Sequence, residues 1–211
     1  MRKIVKKAPK NPEVRRIEII SVAEKLFEKN GYDKTPVESI IKKVGIAKGT
    51  FYYYFKSKKD ILRAIVKQIG TEMAEYFSTI VEIKNLTAIE KLQRMIRSPK
   101  KKAITESSVM RVIHKPENRE LQEQLNIQSI KIIAPLMAKV LAEGYKEGFF
   151  KKLVSVESIQ LMLAGSQFIL DSGLFEWSPK KRVVFLKSIQ TLFEQLAGVK
   201  PGVLGFISDE K

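Results

Sequence analysis

Two short segments with the apolar spacing of a helix, residues 36–44 and 48–55, lie on either side of the tripeptide Gly45-Ile46-Ala47. Apolar residues three or four positions apart place one face of each segment against a core. Glycine is the usual residue just after a helix, so Gly45 marks the end of the first segment. Two short helices joined by a three-residue turn are typical of a helix-turn-helix, whose second helix enters the major groove of DNA.

The start of the first of these helices has a recognisable pattern of its own. Thr35 stands at the expected N-cap, Pro36 at the first helical position and Glu38 three residues after the cap. This spacing is that of a capping box, in which the threonine hydroxyl accepts a hydrogen bond from the first turn of the helix. We therefore expect Thr35 to cap this helix.

Helical spacing continues along most of the remaining chain, and no convincing strand is found. The predicted fold class is therefore all-α, with about nine helices. An N-terminal helix-turn-helix unit is expected over residues 1–57 and a larger helical unit over residues 58–211. Besides the helix-turn-helix pair, helices are expected over approximately residues 12–30, 58–83, 86–97, 101–114, 117–147, 156–175 and 179–197.

Composition excludes several classes of site. The 211 residues include no cysteine and a single histidine, His114, which rules out a disulfide and argues against a multi-histidine metal site or a Ser-His-Asp triad. No paired carboxylates and no phosphate-cradling loop appear, so neither an enzyme nor a cofactor nor a metal is predicted. The lack of cysteine fits a cytoplasmic protein. No apolar run approaches the ~18 residues of a membrane-spanning helix.

The net charge is +16 and is unevenly distributed. Residues 1–60 hold 16 Lys+Arg and 7 Asp+Glu, a net charge of +9, whereas residues 61–211 hold 23 and 16, a net charge of +7. A positive field concentrated at one end indicates a polyanionic partner, either nucleic acid or an anionic membrane surface. A lysine-rich proteome would give the same total charge.

The stretch FYYYF, which closes the second helix of the pair, combines two faces. Phe51 and Phe55 are four residues apart and suit a small core, whereas Thr50, Tyr53 and Tyr54 share a different face. At most one of the three consecutive tyrosines can point inward beside the phenylalanines. The others are expected to be partly exposed, with hydroxyls that reach phosphates and rings that contact thymine methyl groups.

Charged and small residues frame these tyrosines. Lys48 and Lys56 bracket them, and Gly49 removes a side chain where the helix would come closest to the duplex. The alternative is a helical hairpin with an aromatic core and a solvated basic face. The capped first helix and the short turn argue against that alternative.

The segment LFEKNGYDKTPVESIIKKVGIAKGTFYYYFKSKKDIL, residues 26–62, closely resembles the DNA-binding domain of the tetracycline-repressor (TetR) family. The resemblance implies a three-helix DNA-binding domain, a larger helical domain for effector binding and dimerisation, and a repressor that a small molecule releases from DNA. Residues 1–57 and 58–211 would be these two domains. A departure is Ala47, where family members often carry a serine that caps the recognition helix.

The resemblance also implies roles for individual residues. Thr35 would contact a phosphate, Lys48, Gly49 and Thr50 would meet the edge of the groove, and Tyr52 and Tyr53 would contact bases or backbone. Tyr54 and Lys56 would mainly hold phosphates.

The last two helices are the expected dimer surface. Two helices from each subunit would form a four-helix interface, and a two-fold dimer would present two recognition helices ~34–36 Å apart. The alternative is that both helices pack inward in a monomer. The expected interface residues are Ile159, Met162, Leu163, Ser166, Ile169, Leu170, Phe185, Ile189, Leu192 and Phe193.

An effector pocket is expected among the helices of residues 87–147, with help from residues 156–177. Methionine and aromatic side chains suit a malleable apolar cavity, although each of them also suits a plain core. If lysines 100–102, or residues 180–182, faced that pocket, an anionic effector such as an acyl thioester would fit. The candidates are Met95, Met110, His114, Met137, Tyr145, Gln167, Phe168 and Trp177.

The sequence therefore predicts a cytoplasmic, homodimeric repressor that binds a palindromic double-stranded operator and an unknown small-molecule effector, without a membrane partner. An activator or an architectural DNA-binding protein with the same fold is the first alternative. A helical protein that binds anionic lipid surfaces is the second.

Overall fold

The computed structural model describes residues 11–98, 104, 106–171 and 174–205. Within these ranges the backbone forms α-helices and one 3-10 turn, Pro116–Asn118, and no strand, which confirms the all-α prediction. The helices are α1 Pro12–Asn30, α2 Val37–Val44, α3 Lys48–Tyr54, α4 Lys58–Val81, α5 Ala88–Ile96, α6 Ser108–Ile113, α7 Arg119–Lys146, α8 Val156–Ile169 and α9 Pro179–Ala197.

The helix bounds follow the expected starts and stops with two exceptions. In place of the helix expected over residues 101–114, α6 begins only at Ser108, where the Ser107 hydroxyl accepts from the Met110 N–H. The helix expected over residues 156–175 ends at Ile169, where α8 ends. Side chains from beyond the helix cover its last carbonyls, because Trp177 Nε1 donates to the Ile169 carbonyl (2.8 Å) and Arg182 donates to that of Leu170 (3.1 Å). The final turn is therefore closed by these donors rather than by continued helix.

The capping box expected at the start of α2 is absent, so that prediction was wrong. The N-cap of α2 is Pro36, and no side chain caps the helix. The Thr35 side chain is buried and donates its hydroxyl hydrogen bonds backward, to the carbonyls of Gly31 (2.8 Å) and Leu26 (3.3 Å). Thr35 thus closes the end of α1 instead of the start of α2.

The backbone divides into two compact units, with the division inside α4 between Val66 and Lys67. The first unit packs α1, α2, α3 and the start of α4 around buried apolar side chains. Gly45 adopts a left-handed backbone (φ 73°, ψ 42°), which glycine tolerates best, and so turns the chain sharply from α2 toward α3. The buried side chains include Ile19, Phe27, Ile40, Phe51, Phe55, Ile61 and Leu62.

The second unit has its own core, drawn from α4, α5, α7, α8 and α9. The segment after α9 is anchored by a buried carboxylate. Glu194 accepts hydrogen bonds from the backbone N–H groups of Gly202 (2.9 Å) and Leu204 (3.0 Å), and Leu204 is fully buried. This anchoring satisfies a carboxylate that would otherwise be costly to bury.

Contrary to the expectation from the sequence, one stretch among the described residues, Pro116–Lys146, is long and apolar enough to cross a bilayer by length and composition alone. The core helix of a soluble protein meets the same criterion. Ala134, Met137, Val140 and Leu141 of this stretch lie in the core of the second unit. The finding is therefore weak evidence for a membrane partner.

Candidate nucleic-acid interface

Helix α3 separates its buried residues cleanly from its exposed ones. Phe51 and Phe55, four residues apart, are buried against the core of the first unit. Their rings lie 6.3 Å apart, and the Arg16 guanidinium sits 5.2 Å from the centre of the Phe55 ring. These contacts fix the orientation of α3, because turning the helix would expose two phenylalanines.

The predicted DNA-contacting residues of α3 and its C-terminal flank remain accessible. Lys48, Gly49, Thr50, Tyr52 and Lys56 are exposed. Tyr53 is 78% exposed, a fraction that leaves its ring with almost no role in the core. Tyr54 is half-buried and its ring meets that of Tyr53 edge to face at 5.0 Å. An exposed tyrosine on a basic helix is suited to contact phosphates and base edges.

The start of α3 is open and uncapped. Ala47 is the N-cap and offers no side-chain hydrogen bond to the first turn. A methyl group added at Gly49 would meet no atom within 4 Å. Nothing in the protein itself therefore requires glycine at position 49 to avoid a clash.

Thr35 lies outside this exposed set. Its side chain is fully buried, and its hydroxyl is used within the first unit. A phosphate contact by Thr35 stays a prediction, and the side chain as placed supports the fold of the loop after α1.

Lys58, at the start of α4, has a structural part that was not predicted from the sequence. Its Nζ donates to the Tyr32 carbonyl (2.7 Å) and lies 4.2 Å from the centre of the Tyr32 ring. Burial lowers the pKa of the Lys58 ammonium below its ordinary value, and the charge of Asp33 raises it in part. Burial, with a smaller contribution from Asp33, raises the pKa of the Tyr32 hydroxyl.

One feature of the sequence could have drawn attention to Lys58. A cation in the first turn of a helix faces the positive end of the helix dipole and is disfavoured there. Its presence therefore suggests a specific partner, which the structure provides in Tyr32.

The residues predicted for a dimer surface fall into two groups. Ile159 and Phe193 are buried in the core of the second unit, so they are not available to a partner as placed. Leu192 is exposed. The remaining seven are half-buried: Met162, Leu163, Ser166, Ile169, Leu170, Phe185 and Ile189.

The most exposed apolar side chains of α8 and α9 are neighbours of those predicted. Leu161 of α8 is 75% exposed, although water disfavours so large an apolar area. Because α8 is apolar on nearly every side, helical spacing alone could not tell its inward from its outward face. The large exposed apolar residues of the two helices are Leu161, Phe168, Val183, Val184, Leu186 and Leu192.

The eight candidates for an effector pocket have different surroundings. Met95 and Met137 belong to the core of the second unit. Phe168 and Trp177 are linked through Phe175, whose ring stacks on the Trp177 ring at 5.2 Å. Tyr145 is exposed.

The other three candidates are polar or lie on α6. Met110 is buried there, and His114 ends α6 with a buried Nδ1 that has no hydrogen-bond partner among the described residues. Gln167 donates through Nε2 to Ser129 Oγ (2.7 Å). The pocket assignment therefore stays a prediction.

Two family profiles match the chain. The profile described as "Bacterial regulatory proteins, tetR family" matches residues 19–65. The profile described as "Tetracyclin repressor-like, C-terminal domain" matches residues 101–193. The first spans the helix-turn-helix and the second spans most of the larger unit.

Curated relatives agree with these profiles. The fatty acid metabolism regulator protein of Bacillus subtilis (strain 168) is 28% identical over 164 residues, which cover 76% of this chain and 82% of that protein. The HTH-type transcriptional repressor KstR2 of Mycolicibacterium smegmatis is 22% identical over 165 residues, covering 76% of this chain and 80% of that protein. Both are named as regulators rather than enzymes.

Solved structures share the fold. A TetR-family transcriptional regulator from Pectobacterium atrosepticum aligns with a TM-score of 0.65 at 20% identity, over 92% of this chain and 100% of that one. FadR from Bacillus subtilis, solved in complex with stearoyl-CoA, aligns with a TM-score of 0.53 at 24% identity, over 87% of this chain and 99% of that one. At these identities the likeness concerns the fold alone.

Proposed function

Because the chain belongs to the tetR family of bacterial regulatory proteins, we propose that it is a homodimeric repressor that binds a palindromic operator and is released by a small-molecule effector. The activity that the family shares is the regulation of transcription through DNA binding. The dimer, the operator and the effector are the parts that the proposal adds. Its place of action is the cytoplasm, where the chromosome is accessible.

The observation that carries the proposal is the exposed row on α3. Lys48, Thr50, Tyr52 and Tyr53 are exposed while Phe51, in their midst, is fully buried. A helix held firmly by its apolar face and offering lysine, threonine and tyrosine on the other suits insertion into a major groove. The basic first 60 residues supply the attraction to phosphates.

The homodimer is supported by the exposed apolar residues of α8 and α9. Leu161, Phe168, Val184 and Leu192 are each more than half exposed. Exposed apolar side chains on two consecutive helices are typical of an isologous interface. One short recognition helix reads few base pairs, so a dimer also explains how a specific site could be recognised.

The effector class is suggested by a relative. The Bacillus subtilis protein at 28% identity is named a fatty acid metabolism regulator. Fatty acyl compounds are therefore the first class of effector to test. Two groups of basic residues were connected above with an anionic effector. Lysines 100–102 lie outside the described residues, and residues 180–182 lie in the first turn of α9.

Release from DNA would pass through α4, which runs without a break from the first unit into the second. An effector can favour a non-binding conformer only through its higher affinity for that conformer. Equal spacing of the two recognition helices with and without effector would contradict this part of the proposal. Crystal structures of both states would measure that spacing.

The first test is selection from a pool of random DNA duplexes at about 150 mM salt, where non-specific phosphate contacts are weak. Enrichment of one inverted repeat is expected. Uniform weak binding without enrichment would favour an architectural DNA-binding protein and contradict the operator. A transcription assay on the enriched sequence then distinguishes a repressor from an activator.

A preparation that already holds its effector would also fail to enrich a sequence. Repeating the selection after unfolding and refolding removes a bound effector. Co-sedimentation with anionic liposomes tests the membrane alternative, for which no binding above that of neutral liposomes is expected.

A further inference from the structure

A basic groove lies on the second unit, where the end of α4 meets α5 and the C-terminal half of α7. Its volume is about 360 Å³, and a small organic anion would fit within it. The lining residues are Val81, Glu82, Lys84, Lys91, Lys139, Ala142, Glu143 and Lys146. None of them is among the residues predicted for DNA, effector or dimer contacts.

The groove carries a net positive charge. Four lysines and two glutamates line it, so the net charge of the lining is +2. Lys139 pairs with Glu82 (2.6 Å) and Lys91 pairs with Glu143 (2.6 Å). Among the described residues, Lys84 and Lys146 form no ion pair within 4 Å, which leaves two ammonium groups available to an anion.

Lys91 is an unusual residue for its position. Its side chain is only 2% exposed, where an apolar residue would ordinarily stand. Two of its three N–H donors serve the oxygens of Glu143, at 2.6 and 2.8 Å. The partner Glu143 is 37% exposed, so the lysine charge gives up most of its hydration for one partly solvated ion pair. Such a pair is often no more stabilising than an apolar residue of the same volume, so stability alone is a weak reason for placing a lysine there.

The pKa of the Glu82 carboxyl shows that several of these charges act at one position. The hydrogen bond from Lys139 and the Coulombic attraction of that lysine hold the pKa of the Glu82 carboxyl below its ordinary value, and the charges of Lys91 and Lys84 act in the same direction. Three lysines of the groove thus act on one exposed carboxylate. A bound anion would experience the same attraction and would compete with that carboxylate.

From this geometry we propose that the groove binds a compact polyanion of the diphosphate class. Two free ammonium groups and a third, that of Lys139, held by the exposed carboxylate of Glu82 match a ligand with several negative oxygens closely spaced. The site is separate from the helix-turn-helix and is independent of whether the protein represses or activates.

The test is isothermal titration calorimetry of the full chain with inorganic pyrophosphate, at about 150 mM salt to screen diffuse attraction. The wild-type protein is expected to bind with a defined stoichiometry of one per subunit. The double variant Lys84→Gln/Lys146→Gln is expected to bind about tenfold more weakly or worse, a loss of roughly 1.4 kcal/mol. Both side chains are exposed, so the fold should be retained, which circular dichroism checks.

A matched control separates this groove from the basic DNA-binding unit. The double variant Lys48→Gln/Lys56→Gln removes the same charge from the first unit and should bind pyrophosphate as the wild type does. A further variant, Glu82→Gln, removes a competing carboxylate and should bind pyrophosphate more tightly. If Glu82 only stabilised the fold, its substitution would not tighten pyrophosphate binding.

Three results would overturn the proposal. They are no binding by the wild type, equal binding by Lys84→Gln/Lys146→Gln, and loss of binding in the control Lys48→Gln/Lys56→Gln. Citrate that bound as tightly as pyrophosphate would overturn the diphosphate assignment. Since no DNA is present in these titrations, their outcome is independent of the operator test.

Discussion

Neighbouring aromatic residues of α3 have different roles although their side chains are similar. Phe51 is fully buried, whereas Tyr53, two residues later, is 78% exposed. The phenylalanines hold the helix to the core, and the tyrosines and lysines are left for the surface. A substitution on the exposed row should therefore change binding without changing the fold.

Gly49→Ala is the sharpest such substitution. The added methyl group meets no atom of the protein within 4 Å, and alanine favours a helix over glycine by up to ~1 kcal/mol. The melting temperature should stay the same or rise, while the affinity for the selected operator falls because the methyl group presses on the duplex. An unchanged affinity in a fluorescence anisotropy titration would show that the duplex does not approach this position closely.

A second residue-scale prediction concerns the cap of α5. The backbone N–H and hydroxyl of Thr87 both donate to Glu90 at 2.8 Å and hold the pKa of its carboxyl below the ordinary value. Because this carboxyl binds protons less readily in the folded state, its contribution to stability is present above the unfolded pKa. That contribution is lost as the pH falls through the folded pKa.

Glu90→Gln should therefore lower the melting temperature slightly at pH 7, and the difference should shrink below about pH 4.3. Thermal denaturation followed by circular dichroism across this range measures it. Glu176→Gln, in the exposed segment before α9, is the control. A difference that stayed constant with pH would mean that the charge of Glu90 is not responsible.

Some side-chain positions could be predicted from the sequence and others could not, for a physical reason. The core positions of Phe51 and Phe55 and the exposure of Tyr53 followed from helical spacing. Thr35 did not, because its hydroxyl had two possible sets of partners: the helix that follows and the loop that precedes. Only the folded backbone decides between them, and it places the carbonyls of Gly31 and Leu26 within reach.

At the scale of elements, α5 and α7 come unusually close at Gly144. A methyl group at this position would overlap the Phe150 ring and the Ala88 methyl group. The overlap involves packed core atoms that cannot move aside freely. Gly144 is therefore the residue that permits this helix contact.

Gly144→Ala should lower the free energy of unfolding by about 1–3 kcal/mol, as overpacking of a filled core commonly does. Urea denaturation measures the loss. Gly49→Ala serves as the matched control, because the same substitution there meets open space. Equal stability of the two variants would contradict the close contact at Gly144.

The surface of α8 and α9 leads to a prediction about assembly. Leu161→Glu and Leu192→Glu each place a charge on an exposed apolar residue, and together they should convert the proposed dimer to monomers. Sedimentation velocity measures the change. Leu153→Glu, at an exposed leucine between α7 and α8, should leave the dimer intact, and dissociation by this control would place the interface elsewhere.

The bounds of the helices were predicted better than the contacts that other segments make with them. The bounds of α1 and α9 followed from proline at the start and glycine after the end. The end of α8 did not, because it depends on Trp177 and Arg182, which reach back from beyond the helix. The outward face of α8 was also missed, since an apolar helix does not reveal by spacing which side a neighbour covers.

At the scale of the whole molecule, the charge of +16 determines how binding responds to salt. The logarithm of operator affinity should fall linearly with the logarithm of salt concentration, since phosphate contacts release counterions. Lys48→Gln should weaken binding to all sequences and reduce the slope by about 1. Lys131→Gln, on the exposed side of α7, should change neither, and a slope lowered equally by both variants would assign the effect to net charge alone.

The continuity of α4 across the division at Val66 and Lys67 has a consequence for anyone who would build hybrid regulators from this chain. Each helical residue turns the chain by about 100° and advances it by 1.5 Å. Inserting a single residue at the junction would rotate the grafted second unit about the helix axis by more than a quarter turn. Inserting seven residues would return it almost to its starting angle. When second units are exchanged between regulators, the rotation that the join introduces about α4 therefore matters more than the length it adds.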